Sequence, residues 1–145
     1  MLSSLAVKQR ALDLGFDLAG IAPIGVWKDL EFSRRWVEKG FNGEMRYLEN
    51  PKRFDPHLVL PSAKSVICVG LAYDTPLPYS SFQFPVSAGV TPRAWVSRYA
   101  WGQDYHEIMR AKLEQLRAAL GELAPGVETR VFVDSGPVVE RAFAR

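Results

Sequence analysis

Apolar side chains recur at helical spacing over the longest periodic segment of the chain. Met109, Leu113, Leu116 and Leu120 fall at i, i+4, i+7 and i+11, which places all four on one face of an α-helix. Gly121 follows at the position of a C-terminal cap. Weaker periodicity and cap residues predict four further helices: from Ser3 or Ser4 to just before Gly15, from Val26 to Lys39 before Gly40, around Glu44 to Leu48, and from Pro137 to Arg145.

Four shorter segments favour β-strands: Phe16 to Ile21, Ser65 to Tyr73, Ala94 to Tyr99, and Thr129 to Val133. The second is almost continuously apolar, which is typical of a central strand buried on both faces. Residues 74–95 contain four prolines, and a loop of this length predicts a lid or a binding loop. The mixture of helices and strands predicts an α+β or α/β domain.

The length of 145 residues suits a single domain that covers residues 1–145. An apolar content of 48% excludes a mainly disordered chain. A net charge of +2 neither indicates nor excludes a nucleic-acid partner. The start lacks the apolar core of a secretory signal, and no stretch approaches the ~20 apolar residues of a membrane span. We therefore expect a cytoplasmic protein without membrane contact.

Two segments combine charge and aromatic rings at the ends of apolar elements, where folds of this class often hold their sites. In the first, Arg53 precedes an Asp-Pro turn and could form either a loop ion pair or a ligand contact. In the second, Arg98, Tyr99 and Tyr105 lie within residues 97–106, before the N-terminus of the long helix. Their rings offer a flat surface for a large planar ligand.

The single histidine of the second segment, His106, is expected to be structural, because no second histidine lies nearby to share a metal ion. Asp104 can cap the long helix. The one cysteine of the chain, Cys68, lies in an apolar run, where we expect a buried and inert thiol. The sequence therefore predicts no metal site.

A third segment, residues 133–141, places Asp134 directly after a predicted strand. Apolar surroundings would raise its pKa and let the carboxyl hold a proton near neutral pH, as a general acid must. Alternatively, Asp134 or Ser135 caps the last helix, with Glu140 and Arg141 forming a solvated pair. The residues alone leave both interpretations open.

Four motifs in this order resemble the cobalamin-dependent epoxyqueuosine reductases of bacteria. The motifs are Gly-Glu-Met-Arg-Tyr-Leu at 43–48, Arg-Phe-Asp-Pro at 53–56 followed by Leu-Pro-Ser-Ala-Lys-Ser-Val-Ile at 60–67, Ser-Arg-Tyr-Ala-Trp-Gly-Gln-Asp-Tyr-His at 97–106, and Val-Asp-Ser-Gly-Pro-Val-Val-Glu-Arg-Ala at 133–142. The resemblance implies a mostly antiparallel central sheet flanked by helices, similar to the flavin-binding nitroreductases. It also implies an oxidoreductase of queuosine biosynthesis that reduces epoxyqueuosine to queuosine in tRNA.

The resemblance further implies cofactors and residue roles. Members of the family hold a base-off cobalamin beside two 4Fe-4S clusters and take electrons from an external donor. Asp134 corresponds to an aspartate that protonates the departing epoxide oxygen and borders the cofactor. Arg53, Arg98, Tyr99 and Tyr105 match residues that look like the lining of the corrinoid site.

The chain departs from the family after these motifs. The family continues with a Gly-Leu-Gly-Trp-Ile-Gly-Lys-Asn-like stretch and a ferredoxin-like domain with clustered cysteines, and the chain contains neither. Since a cubane cluster normally needs four thiolates, we expect a truncated cobalamin-binding domain with little activity by itself. Two alternatives remain: a flavin-dependent, nitroreductase-like enzyme, and a non-catalytic corrinoid-binding domain.

Overall fold

A computed structural model describes residues 2–25, 27–73, 97–100, 102–134 and 136–144. Within these ranges the chain forms four α-helices and one two-stranded antiparallel sheet. The elements are α1 (Ser4–Asp13), β1 (Leu18–Pro23), α2 (Lys28–Glu38), β2 (Ser65–Gly70), α3 (Tyr105–Leu123) and α4 (Glu140–Phe143). Four short 3₁₀ turns cover Arg46–Glu49, Pro51–Arg53, Pro56–Leu58 and Arg98–Ala100.

Local capping sets the ends of the predicted helices. The Ser3 side chain accepts a hydrogen bond from the N–H of Ala6 at the start of α1, and Gly15 follows the helix with φ +81°, a conformation that glycine adopts at little cost. Asp104 accepts from the N–H of His106 at the start of α3, as predicted. Because α3 continues through Gly121 to Leu123, the predicted stop at Gly121 is wrong.

The sheet separates two apolar clusters. β1 pairs with β2 from Leu18 opposite Gly70 to Pro23 opposite Ser65. On one face, Ile21, Ile67 and neighbours pack against a cluster formed by α1, α3 and Phe16. On the other face, Ala22, Val66 and Cys68 contact a cluster that contains Leu30 of α2 and Phe143 of α4. The side chains of a strand alternate between faces, so each face reaches a different cluster.

The structure corrects several predicted elements. Both faces of β2 are covered, but none of its residues is fully buried, and its one strand partner is β1 among the described residues. Residues 129–133 form no strand. Of the strand predicted from Ala94 to Tyr99, residues 94–96 lie outside the described residues, Ser97 has no regular structure, and Arg98 and Tyr99 belong to the turn Arg98–Ala100. The predicted loop 74–95 lies wholly outside the described residues.

The last helix begins later than predicted. α4 starts at Glu140, with Val139 as its N-cap, so Pro137 does not occupy the first helical position. Asp134 and residues 136–139 instead form an irregular turn. In the described part of the chain, no helix is both long and apolar enough to cross a bilayer.

Candidate functional site

Asp134 occupies an unusual backbone position. Its φ is +47°, and it is the one non-glycine residue with a positive φ in the described ranges. Aspartate tolerates this left-handed region better than most residues. Its N–H donates to Oε1 of Glu140 at 3.0 Å. The turn is therefore tied to the start of α4 by Glu140, and Asp134 is not the cap of that helix.

Tyr105 holds the Asp134 side chain from the first turn of α3. Its hydroxyl donates a hydrogen bond to Oδ2 of Asp134. This bond and the nearby carboxylate charge raise the pKa of Tyr105 to about 12. The phenol consequently stays protonated at neutral pH and acts as a fixed donor to the carboxylate.

His106 approaches the same carboxylate oxygen. Its Nε2 is 3.9 Å from Oδ2 of Asp134, and its Nδ1 is 2.8 Å from Oδ1 of Asp104. Hydrogen bonds from the His106 N–H and ring lower the pKa of the Asp104 carboxyl, so Asp104 is ionised at neutral pH. His106 is thus placed between two carboxylates, whereas the sequence predicted a structural or solvated histidine at this position.

An aromatic surface adjoins these polar groups. The rings of Tyr99 and Tyr105 meet edge to face with centroids 5.8 Å apart, and Tyr73 extends the row at 6.3 Å from Tyr99. A cavity of about 360 Å³, here named the aromatic pocket, is lined by residues 99, 100 and 102–106. Tyr99 and Tyr105 therefore line one hollow, and Asp134 adjoins it through its bond to Tyr105.

Arg53 belongs to a different hollow. It lines a cavity of about 190 Å³, here named the α2 pocket, with Phe32, Ser33, Trp36, Val37, Leu48, Phe54 and Val139. The guanidinium carbon lies 5.8 Å from the centroid of the Tyr47 ring, a cation–π arrangement. Val139 lines this cavity, whereas Asp134 bonds Tyr105 of the aromatic pocket, so the two ends of the turn contact residues of different pockets.

The remaining candidate, Arg98, begins the turn Arg98–Ala100 at the edge of the aromatic pocket, and its side chain lies outside what is described. Glu140 is the residue that sequence reasoning missed, because a side chain that binds a backbone N–H six residues earlier leaves no local signature. Partial burial raises the pKa of the Glu140 carboxyl, and the Asp134 charge adds to the rise.

The described residues contain no group of three or more His, Cys, Asp or Glu side chains that could hold a metal ion. Cys68 is half-buried against the cluster that contains Leu30 of α2 and Phe143 of α4. Burial, followed by the charge of Glu140, raises the pKa of its thiol. A protonated thiol is a poor nucleophile and ligand, in agreement with the expected inert role.

Comparison with known proteins identifies relatives over nearly the whole chain. Residues 53–135 match the sequence family described as "Epoxyqueuosine reductase QueG, DUF1730". An epoxyqueuosine reductase of Synechocystis is 40% identical over 128 residues, which are 86% of this chain and 42% of that protein. The chain thus spans about two fifths of the length of this curated relative.

Two solved structures resemble the fold. A crystal structure of an epoxyqueuosine reductase with an epoxyqueuosine-modified tRNA-Tyr stem loop aligns with a TM-score of 0.73 at 28% identity, covering 95% of this chain and 36% of the other. A second structure is a Bacillus subtilis epoxyqueuosine reductase whose catalytic loop, named for an aspartate, is swung out of the active site. It aligns with a TM-score of 0.71 at 28% identity and covers 95% of this chain and 36% of the other.

Proposed function

Because this chain belongs to the epoxyqueuosine reductase family, we propose that it forms the amino-terminal part of an oxidoreductase that reduces epoxyqueuosine to queuosine in tRNA. The observation that carries the proposal is the Asp134 carboxylate, held by Tyr105 beside the aromatic pocket. A tRNA substrate implies a cytoplasmic enzyme. It also agrees with the modified stem loop bound to one structural relative.

The proposed role of Asp134 is to protonate the epoxide oxygen as it departs. An epoxide oxygen is a poor leaving group unless it gains a proton, and a carboxylic acid within hydrogen-bonding distance can supply one. The turn that carries Asp134 is irregular and joined to the body by side-chain bonds. That arrangement is compatible with a mobile loop such as the aspartate loop described for the Bacillus subtilis enzyme.

The residues present fit one wall of a corrinoid site. The edge-to-face rings of Tyr99 and Tyr105 form an apolar surface for a large planar macrocycle, and the pocket is open on its other sides. We propose that Tyr99, Tyr105 and the backbone of Arg98 border cobalamin and that Arg53 contacts its periphery. When bound, cobalamin supplies the electron-rich metal centre that reduces the substrate.

The surrounding architecture follows from the same assignment. We propose that the β1–β2 pair and its flanking helices form the start of a nitroreductase-like domain. The remaining length of the relatives would supply the 4Fe-4S clusters, for which this chain offers only Cys68, and with them the path from an external electron donor.

The experiment uses a complete reductase in which this chain is the amino-terminal part, completed by the carboxyl-terminal part of the Synechocystis relative. The enzyme is loaded with cobalamin and iron–sulfur clusters, reduced, and mixed with an epoxyqueuosine-modified stem loop. Loss of one oxygen from the modified base, seen by mass spectrometry, is the expected result. A loaded and reduced enzyme that binds the stem loop but leaves the base unchanged would overturn the proposal.

A further inference from the structure

His106 is fixed by contacts around its ring. Nδ1 lies 2.8 Å from Oδ1 of Asp104, and the ring stacks on Tyr105 with centroids 4.2 Å apart and planes 30° apart. The Asp104 carboxylate is itself fixed, because it caps α3 through the N–H of His106. A donor Nδ1–H toward Asp104 leaves Nε2 as the atom that faces Asp134, at 3.9 Å.

The proposed reaction requires two protons in each turnover. Removing an epoxide oxygen to leave an alkene consumes two electrons and two protons and releases water. A carboxyl group carries one proton at a time, so Asp134 must be reloaded once before the oxygen can leave as water. A bound tRNA loop and corrinoid would cover the aromatic pocket, which both Tyr105 and His106 line, so water would reach Asp134 less freely than in the free chain, where 53% of its side chain is exposed.

Among the described residues, three side chains contact Asp134, and their chemistry separates them: Glu140 binds its N–H, whereas Tyr105 and His106 lie at its carboxylate. Tyr105 has a pKa of about 12, so it does not release its proton near neutral pH. Imidazole, in contrast, gains and loses a proton readily in the physiological range. The ring of His106 is also partly open to solvent, with 40% of its side chain exposed.

We propose that His106 reloads Asp134, which deepens the function proposed above and rests on it. Because 3.9 Å is too long for a direct hydrogen bond, the imidazolium passes the proton on Nε2 through one bridging water to Oδ2 of Asp134. Asp134 becomes a neutral carboxylic acid while the ring becomes neutral. Water then returns a proton to Nε2. Throughout, Nδ1–H stays bonded to Asp104, which holds the ring in one orientation. His106 acts through Asp134 and does not touch the substrate.

The charged and titratable groups around this path come from three segments. Asp104 and Tyr105 lie at the start of α3, Asp134 lies in the turn before α4, and Glu140 at the start of α4 bonds the N–H of Asp134. Tyr99 adjoins Tyr105 from the turn Arg98–Ala100. Among these, His106 is the imidazole that lies against the Asp134 carboxyl.

The test is His106→Gln in the complete reductase described above. Its single-turnover rate with the modified stem loop is compared with wild type between pH 6 and 9. We expect a fall of roughly ten- to a hundredfold, since general acid–base groups contribute about 10²–10⁴ and solvent retains some access to Asp134. Added imidazole should raise the rate of His106→Gln in proportion to its concentration. It should not rescue Asp134→Asn.

The other histidine of the chain provides the matched control. His57 is exposed in the turn Pro56–Leu58, and His57→Gln should convert the stem loop at the wild-type rate. Equal rates for His106→Gln and wild type would overturn the inference. So would a slowed His106→Gln enzyme that imidazole does not rescue, because that result indicates a structural role. If wild type itself fails to convert the stem loop, the proposed function fails first.

Discussion

At the scale of single residues, the site depends on how Asp134 is held. A positive φ in a non-glycine residue costs about 1 kcal/mol or more, and here the conformation is accompanied by two specific bonds. Glu140 accepts from the Asp134 N–H, and Tyr105 donates to the carboxylate. The same bonds fix the direction of the carboxyl group beside the aromatic pocket.

The Tyr105 phenol should titrate at about 12, because its ionisation would place a phenolate against the Asp134 carboxylate. In Asp134→Asn this repulsion disappears, and the pKa of Tyr105 should fall toward the ordinary tyrosine value of about 10. Carbon NMR of labelled tyrosine rings in the 145-residue chain measures both values. As the control, Glu107→Gln removes an exposed carboxylate of α3 and should leave the Tyr105 titration unchanged. A Tyr105 pKa that is the same with and without Asp134 would contradict the observed bond.

At the scale of elements, the turn between Asp134 and α4 is packed tightly at Gly136. A Cβ placed there would lie 2.5 Å from Cδ1 of Phe132 and 2.8 Å from its Cβ, so a larger residue forces the turn or the ring to move. The turn leads directly into Ala142 and Phe143, which are buried against the second cluster. Its geometry therefore couples the site to the core.

Gly136→Ala should destabilise the chain by about 1–3 kcal/mol, the usual cost of overpacking. It should also lower the pKa of Tyr105, because the displaced turn carries Asp134 away from the hydroxyl. Urea unfolding and the tyrosine titration test the two effects. Gly121→Ala is the matched control, since open space surrounds that position in α3 and alanine favours a helix by up to about 1 kcal/mol. An unchanged Gly136→Ala protein would show that the turn adapts freely.

Capping side chains predicted helix starts well, whereas the local signals at Gly121 and Pro137 did not mark helix ends, and elements that depend on distant partners were predicted less well. The side chains of Ser3 and Asp104 cap the starts of α1 and α3 through hydrogen bonds to N–H groups a few residues away. Gly15 follows the end of α1 with a positive φ. The alternation of Val131 and Val133 resembles a strand, but the sheet of the described residues consists of β1 and β2, and residues 129–133 do not join it. The hydrogen bond from the Asp134 N–H to Glu140 likewise depends on how the turn folds, so the local sequence does not indicate it.

The candidate site shows the same division. Aromatic and charged residues within 97–106 and at 134 pointed to one hollow, and the structure brings Tyr99, Tyr105 and Asp134 together. Arg53 was expected beside them, but it lies in the α2 pocket across the turn. Sequence motifs identified these side chains, whereas only the packing of α2 and α4 shows that two pockets exist. The roles of the residues in binding stay predictions.

At the scale of the whole molecule, Asp134 bonds Tyr105 of the aromatic pocket, and Val139, at the other end of the turn, lines the α2 pocket. A ligand as large as a corrinoid, whose periphery carries several amide arms, could contact groups on both sides of such a turn. This arrangement supports a binding role for Arg53 at a distance from the reacting atoms.

Arg53→Ala in the complete reductase should weaken cobalamin binding about tenfold, as expected for loss of one charge-assisted hydrogen bond. Titration followed by the corrin absorbance bands measures the affinity. Arg34→Ala is the control, because Arg34 pairs with Glu38 at 3.1 Å on the exposed face of α2. Equal affinities for Arg53→Ala and wild type would assign Arg53 to its contact with Tyr47. A protein that binds flavin but no corrinoid in parallel titrations would favour the flavin-dependent alternative.

The most direct measurement is the single-turnover rate of Asp134→Asn with an epoxyqueuosine-modified stem loop. Asparagine tolerates the left-handed backbone as aspartate does, so the turn should persist and cobalamin affinity should match wild type. Since the amide cannot give up a proton, the rate of oxygen loss should fall by about 10²–10⁴. An Asp134→Asn enzyme that binds cobalamin and converts the stem loop at the wild-type rate would contradict the assignment of Asp134 as the proton donor.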